Sequence, residues 1–335
     1  FQAKYSSPFF LVANCQMAEP EDEAEEPKKE QLALNFGKKL AHTDKRIRDK
    51  GFRNLRGWLR KHVDLERLDY LKLWRSLYFG FWMSDKRPVQ QELAVQMALL
   101  INDIPRAKQG MWIDTFWETM QVSWEKLDTH RVSKYLLCIR IVVAEAFKVL
   151  RLGGWQESEV AALGETFLRQ VPRNAKNGVN APSVGLNLQF NRLLWDELRP
   201  QLGNSPEPSV ETIMTLLEPF CAVAEGSGLG SLVRSIHQYV LLRVPPQFTG
   251  KMIFRLLQGA ARKDISKANR EALYETVDKL EKGTQAVLTA ASSDKPSGQK
   301  RGAPEATPEP AAAAAEGAAQ APPMKKKKKR PKSTG

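Results

Sequence analysis

Residues able to do chemistry are few and scattered in this 335-residue chain. Cys15, Cys138 and Cys221 are odd in number and far apart, and His42, His62, His130 and His237 share no ligand spacing with them or with each other. A zinc centre needs such ligands at short fixed intervals, so no metal site is expected. Cys138 lies in a strongly apolar helical pattern and Cys221 follows Pro219-Phe220, both settings for small buried hydrophobes. Gly226-Ser-Gly-Leu-Gly lacks the preceding strand and third-glycine spacing that hold a dinucleotide phosphate on a helix N-terminus, so it reads as a helix–helix linker. The acid pairs Glu19/Glu21 and Glu157/Glu159 fall in a tail or at a helix start, where carboxylates complement the dipole. There is no Gly-x-x-x-x-Gly-Lys-Ser/Thr, no His-Glu-x-x-His, and no serine or cysteine with a recognisable base partner. The expectation is a binding protein with no catalytic residues, no cofactor and no small-molecule substrate.

Charge is the chemistry that does concentrate. Residues 38–61 hold ten Lys or Arg against Asp44 and Asp49, a net of +8. Lys325, Lys326, Lys327, Lys328, Lys329, Arg330 and Lys332 add +7 near the C-terminus. The formal charge of the whole chain is +13, so everything else is close to neutral. Two local devices of this kind point to nucleic acid, an acidic partner or an import receptor. Lys38, Lys39, Lys45, Arg46, Arg48, Arg53, Arg56, Arg60 and Lys61 are the phosphate-contact candidates, because point charges along one helix can track a nucleic-acid backbone. The competing reading of that helix is a solvated basic face. The lysine run between Pro323 and Pro331 is expected to be held in extended form by an import receptor.

The elements that must position these residues are helical throughout. Thr43 or Asp44 is an N-cap candidate for a helix burying Ile47, Phe52 (or Gly51), Leu55, Trp58 and Leu59. Tyr70–Leu93 packs Trp74, Tyr78, Phe79, Phe81 and Trp82 into a dozen residues, giving a helix that is apolar nearly all round and must be enclosed. Trp74, Leu77, Tyr78 and Trp82 are expected in the core, with Phe79 and Phe81 as surplus aromatics for closing one helix pair on the next or for a partner protein. Pro88 opens the next helix, Asn102–Gly110 is a break, and Met111–Met120 is helical. Asp128 or Thr129 caps the clearest helix of all, Val132–Leu150, which Gly153-Gly154 stops. Further helices are expected over 158–170, 186–198, 210–224, 232–242, 248–261 and 269–281, with loops at 172–182 and 201–208.

No strand-like alternation persists long enough to build a sheet. About ten paired helices with short loops read as an all-α, irregular HEAT- or armadillo-like helical-repeat solenoid with disordered termini, though no strict period is present. No run of 18 or more apolar residues exists, which excludes a membrane-spanning helix. The expected organisation is an acidic disordered segment over 1–30, a helical domain over 31–290, and an Ala/Pro-rich tail over 291–335. Residues 1–16 read as sequence upstream of a start at Met17; a signal peptide is the weaker alternative, since the apolar core at 8–13 is short and acids follow.

Leu71-Lys-Leu-Trp-Arg-Ser-Leu-Tyr-Phe-Gly-Phe-Trp-Met-Ser-Asp-Lys, followed by Gln91-Glu-Leu, resembles the signature of the eukaryotic ribosomal RNA-processing protein one family. The resemblance continues through Phe116-Trp-Glu-Thr-Met, Trp124, Arg131-Val-Ser-Lys-Tyr, Lys148 to Trp155, Asn177-Gly-Val, Pro219-Phe-Cys and Asn269-Arg-Glu-Ala-Leu-Tyr, covering roughly residues 40–280 in order. It implies a helical-repeat, non-enzymatic nucleolar assembly factor of the large ribosomal subunit precursor. Such a factor would scaffold precursor ribosomal RNA, other assembly factors and ribosomal proteins. The short alanine-rich tail and the loop around 178–188 depart from the family pattern. The alternative is a nuclear transport or protein-interaction adaptor without RNA binding. An adaptor for basic signals should expose acid, and the 38–61 cluster is the reverse.

Overall fold

The computed structural model describes residues 36, 38–40, 42–168 and 184–293, and among these every regular element is helical. In chain order they are α1 (Lys45–Lys61), α2 (Arg67–Trp82), α3 (Arg87–Leu99) with a 3-10 turn (Leu100–Asp103), α4 (Arg106–Trp124), α5 (Thr129–Leu152), α6 (Glu157–Leu168), α7 (Val184–Leu202), α8 (Val210–Gly226), α9 (Gly230–Ile236) with a π turn (His237–Leu241), α10 (Pro246–Ala260) and α11 (Lys267–Ser293).

Within the unit that ends at Ala290, each helix packs on the one two places further along. The chain α2–α4–α6–α8–α10 forms one row, and α3–α5–α7–α9 forms the other. α1 lies against the 3-10 turn after α3, and Thr276 of α11 meets His237 just after α9, so these two helices prolong the second row at its ends. Two rows in next-but-one contact make an all-α helical solenoid, in which no single pair could bury its faces alone.

Local sequence explains where the helices start and stop. Asp44 accepts from the Arg46 amide at 2.8 Å, Asp128 from Arg131 at 2.9 Å and Ser209 from Thr212 at 3.0 Å, each satisfying an otherwise orphaned donor. Pro88 occupies the first turn of α3. After α5 the chain reverses through Gly154 at φ +77°, a left-handed conformation natural to glycine, and Trp155 follows at φ +55°. Trp155 is held there by its indole N–H, which donates to the Pro206 carbonyl at 2.7 Å.

The aromatic block on α2 is the first row's main anchor. Trp74 packs on Trp112 and Phe116 of α4 at centroid distances of 4.3 and 4.8 Å, and its N–H donates to the Trp112 carbonyl at 2.9 Å. Arg67 adds ion pairs to Asp114 and Glu118 of α4. Four expectations need correction. Ile47 points outward at 36% exposure, because the buried face of α1 is set by Phe52, Leu55 and Leu59. Trp82 is half-buried, with the Arg131 guanidinium 4.3 Å from its ring centre, since it faces the rim of the row and not its interior. The expected break at 102–110 is shorter than foreseen, as Pro105 caps α4 and the helix starts at Arg106. Also, α11 runs on past Glu281 to Ser293. The expected loop at 172–182 and both expected tails lie outside the described residues, apart from the last residues of α11.

Candidate nucleic-acid interface

α1 is divided cleanly by its 3.6-residue period. Arg48, Gly51, Phe52, Leu55 and Leu59 are buried. Arg46, Lys50, Arg53, Gly57 and Lys61 recur at offsets of four, seven, eleven and fifteen on the opposite side, a line of ~22 Å along the axis. Arg46, Lys50, Arg53 and Lys61 are all exposed, and none of their side chains has a charged or hydrogen-bonding partner among the described residues. Lys38 and Lys39, just ahead of α1, are exposed as well, while Leu40 beside them is buried. Spacing from Arg46 would have placed Lys50 among the candidates.

The remaining four candidates are engaged within the protein. Arg48 is a correction: it is 7% exposed, and Nη1 donates to the carbonyls of His42 at 2.9 Å and Thr43 at 2.8 Å, so it fastens the chain entering α1 and cannot face a ligand. Lys45 pairs with Asp49 at 3.2 Å and with Glu92 of α3, whose hydrogen bond pushes the ammonium above its ordinary value. Arg56 and Arg60 both grip Asp103 in the 3-10 turn after α3. Arg56 Nε lies 2.5 Å from Oδ2, and Arg60 Nε lies 2.6 Å from Oδ1. The Asp103 side chain is fully enclosed, whereas those of Arg56 and Arg60 remain 42% and 62% exposed. Asp103 carries no recognisable sequence signal, since 43 and 47 residues separate it from its two partners.

The aromatic candidates separate in the same way. Phe79 is 50% exposed on the outer side of α2, on a line with Leu68 and Met83. For Phe81 only the partner-contact role is corrected: it is 1% exposed and stands edge-on to Tyr135 of α5 at 5.2 Å, so it closes α2 on α5, the other expected role, and is unavailable to a partner. Lys325–Lys329, Arg330 and Lys332 lie outside the described residues. No group of three or more His, Cys, Asp or Glu with metal-holding geometry occurs among the described residues, and no helix there is long and apolar enough to cross a membrane. Both described cysteines are buried free thiols whose burial pushes them up to about 12, which makes them poor nucleophiles.

The sequence profile of the family described as "Nucleolar protein, Nop52" matches residues 31–330. Ribosomal RNA processing protein 1 homolog B of Homo sapiens is 28% identical over 227 residues, covering 66% of this chain and 29% of that protein. Ribosomal RNA processing protein 1 homolog A of Homo sapiens is 25% identical over 222 residues, covering 63% of this chain and 47% of that protein. The Drosophila melanogaster homolog is 25% identical over 214 residues, covering 60% of this chain and 30% of that protein. The matches thus span less than half of these relatives' own lengths.

Proposed function

Because the chain belongs to the Nop52 family of nucleolar proteins, we propose that it is a non-enzymatic assembly factor of the large ribosomal subunit precursor. In this reading the helical rows are a scaffold that holds precursor ribosomal RNA together with other assembly factors and ribosomal proteins. The relatives' name, ribosomal RNA processing protein 1, supports the process. The single observation that carries RNA contact is the line of exposed, unpartnered cations on α1. Lys38, Lys39, Arg46, Lys50, Arg53 and Lys61 are free to meet phosphates; Arg56 and Arg60 are half-available. Phe79 is the aromatic offered to a protein partner, and the lysine run at 325–332 is the import signal.

The test is affinity purification of the full chain from nuclear extract, with identification of the RNA and proteins recovered. Precursor ribosomal RNA and large-subunit assembly factors are the expected catch. Transport factors without precursor RNA would overturn the reading. Deleting Lys325–Lys332 should reduce nuclear accumulation, and unchanged nucleolar staining would remove that role from the tail.

A further inference from the structure

Arg53, Arg56, Gly57 and Arg60 occupy consecutive turns on one flank of α1. Arg56 and Arg60 are not free side chains, since the enclosed carboxylate of Asp103 engages two nitrogens of each. A guanidinium has five N–H donors, so each arginine keeps at least three that no described residue takes, on a fork whose direction is already fixed. Arg53 stands beside them exposed and unpartnered, and the group retains a net charge of +2 after Asp103 is counted.

Gly57 sits in the middle of the cluster, and no atom of the described residues lies within 4 Å of where its Cβ would stand. A glycine inside a helix weakens it relative to almost any other residue, and no packing constraint among the described residues demands one at this half-buried position. Its absent side chain leaves the helix backbone bare between the fixed forks.

We propose that Arg53, Arg56 and Arg60, arranged around the bare Gly57 and oriented by Asp103, form a cradle in which an RNA phosphodiester backbone crosses α1. The proposal rests on the RNA contact inferred above and names its centre. A planar fork matches a phosphate's oxygens in pairs, and a backbone charged at every unit gains from close approach to the helix. An acidic protein segment carries its carboxylates on flexible side chains and has no need of the opening at Gly57. Asp103 acts as a positioning residue, since it reaches the ligand only through the two arginines.

The experiment measures binding of a labelled RNA hairpin by the full chain across a salt series, alongside thermal unfolding. Gly57→Leu should raise the thermal midpoint, because the helix gains a better former, yet weaken RNA binding about tenfold by closing the approach. Asp103→Asn makes the protein more positive, so a diffuse electrostatic surface predicts tighter binding; the cradle predicts weaker binding and a shallower salt dependence. Should Asp103→Asn unfold, Gly57→Leu alone decides. If wild type binds the hairpin and Gly57→Leu binds it equally well, the cradle is overturned while the RNA reading stands. If wild type does not bind, the RNA reading falls first. Competition by polyglutamate as effective as RNA of equal charge would assign the cluster to an acidic protein and overturn the proposal.

Discussion

α1 and α10 stand at opposite ends of the helical rows, and their inward faces are nearly interchangeable. Phe52, Leu55 and Leu59 on one, and Phe248, Met252 and Leu256 on the other, are each 4% exposed or less. Their outward faces have nothing in common. α1 shows Arg46, Lys50, Arg53 and Lys61, whereas α10 shows Gly250, Phe254 at 56% exposure and Leu257 at 38%, with no cation on that line. The same architecture therefore ends in a line of unpartnered cations on α1 and in a line carrying two exposed apolar side chains on α10, beside which Lys251 is paired with Glu211. Inward residues set whether each end folds, and outward residues set what it meets.

The largest effect should come from the shared inward pattern. Leu55→Ala and Leu256→Ala each delete a fully enclosed side chain, so each should lower unfolding free energy by about 2–5 kcal/mol in denaturant titrations. Comparable losses would place both ends in one cooperative unit. A much smaller loss for Leu55→Ala would mean that α1 is an appendage, and the equivalence of the two ends would break there.

Next comes the outward contrast. Reversing Arg46, Arg53 and Lys61 to glutamate should abolish most RNA affinity and flatten the salt slope by ~0.9 for each duplex phosphate that is no longer neutralised. Stability should stay within about 0.5 kcal/mol per substitution, since these side chains have no partner to lose. Phe254→Asp with Leu257→Asp should leave RNA affinity at the wild-type value. Equal weakening by both variants would show that the charge asymmetry does not steer binding.

Much of this fold could be read from spacing alone. Helix starts at Asp44, Pro88 and Asp128, and the stop at Gly153-Gly154, are written locally, because caps and breakers act within a turn. The choice of faces was less legible. Phe81 and Trp82 are neighbours in one aromatic run, and only the placement of Tyr135 and Arg131 on α5 decides that Phe81 is enclosed and Trp82 is at the rim. The candidate interface fared likewise. Its charge was evident, but the division into free cations and the pair steered by Asp103 depends on a carboxylate 43 to 47 residues away. Arg48 shows the same limit, since its carbonyl partners belong to the turn entering α1 and leave no trace in residue type.

A milder asymmetry should appear at alkaline pH. Cys221 is fully enclosed under α10, with its sulfur 4.0 Å from that of Met252, and burial pushes its thiol up to about 12 from an ordinary 9.0. A folded-state pKa raised in this way contributes stability that is fully present below about pH 9 and is lost as pH climbs toward about 12, because the unfolded chain releases its proton first. No cysteine, histidine or tyrosine lies on the inward face of α1. The thermal midpoint of wild type should therefore fall above pH 9.0. Cys221→Ala should be less stable at neutral pH but should show a shallower alkaline decline, the remainder coming from Cys138, which burial raises equally, and from Tyr70, Tyr78 and Tyr135, whose phenols burial also pushes up. The charge-reversed α1 variant should keep the wild-type slope. Parallel declines for wild type and Cys221→Ala would mean that alkaline loosening does not begin beneath α10, and the two ends would then respond to pH alike.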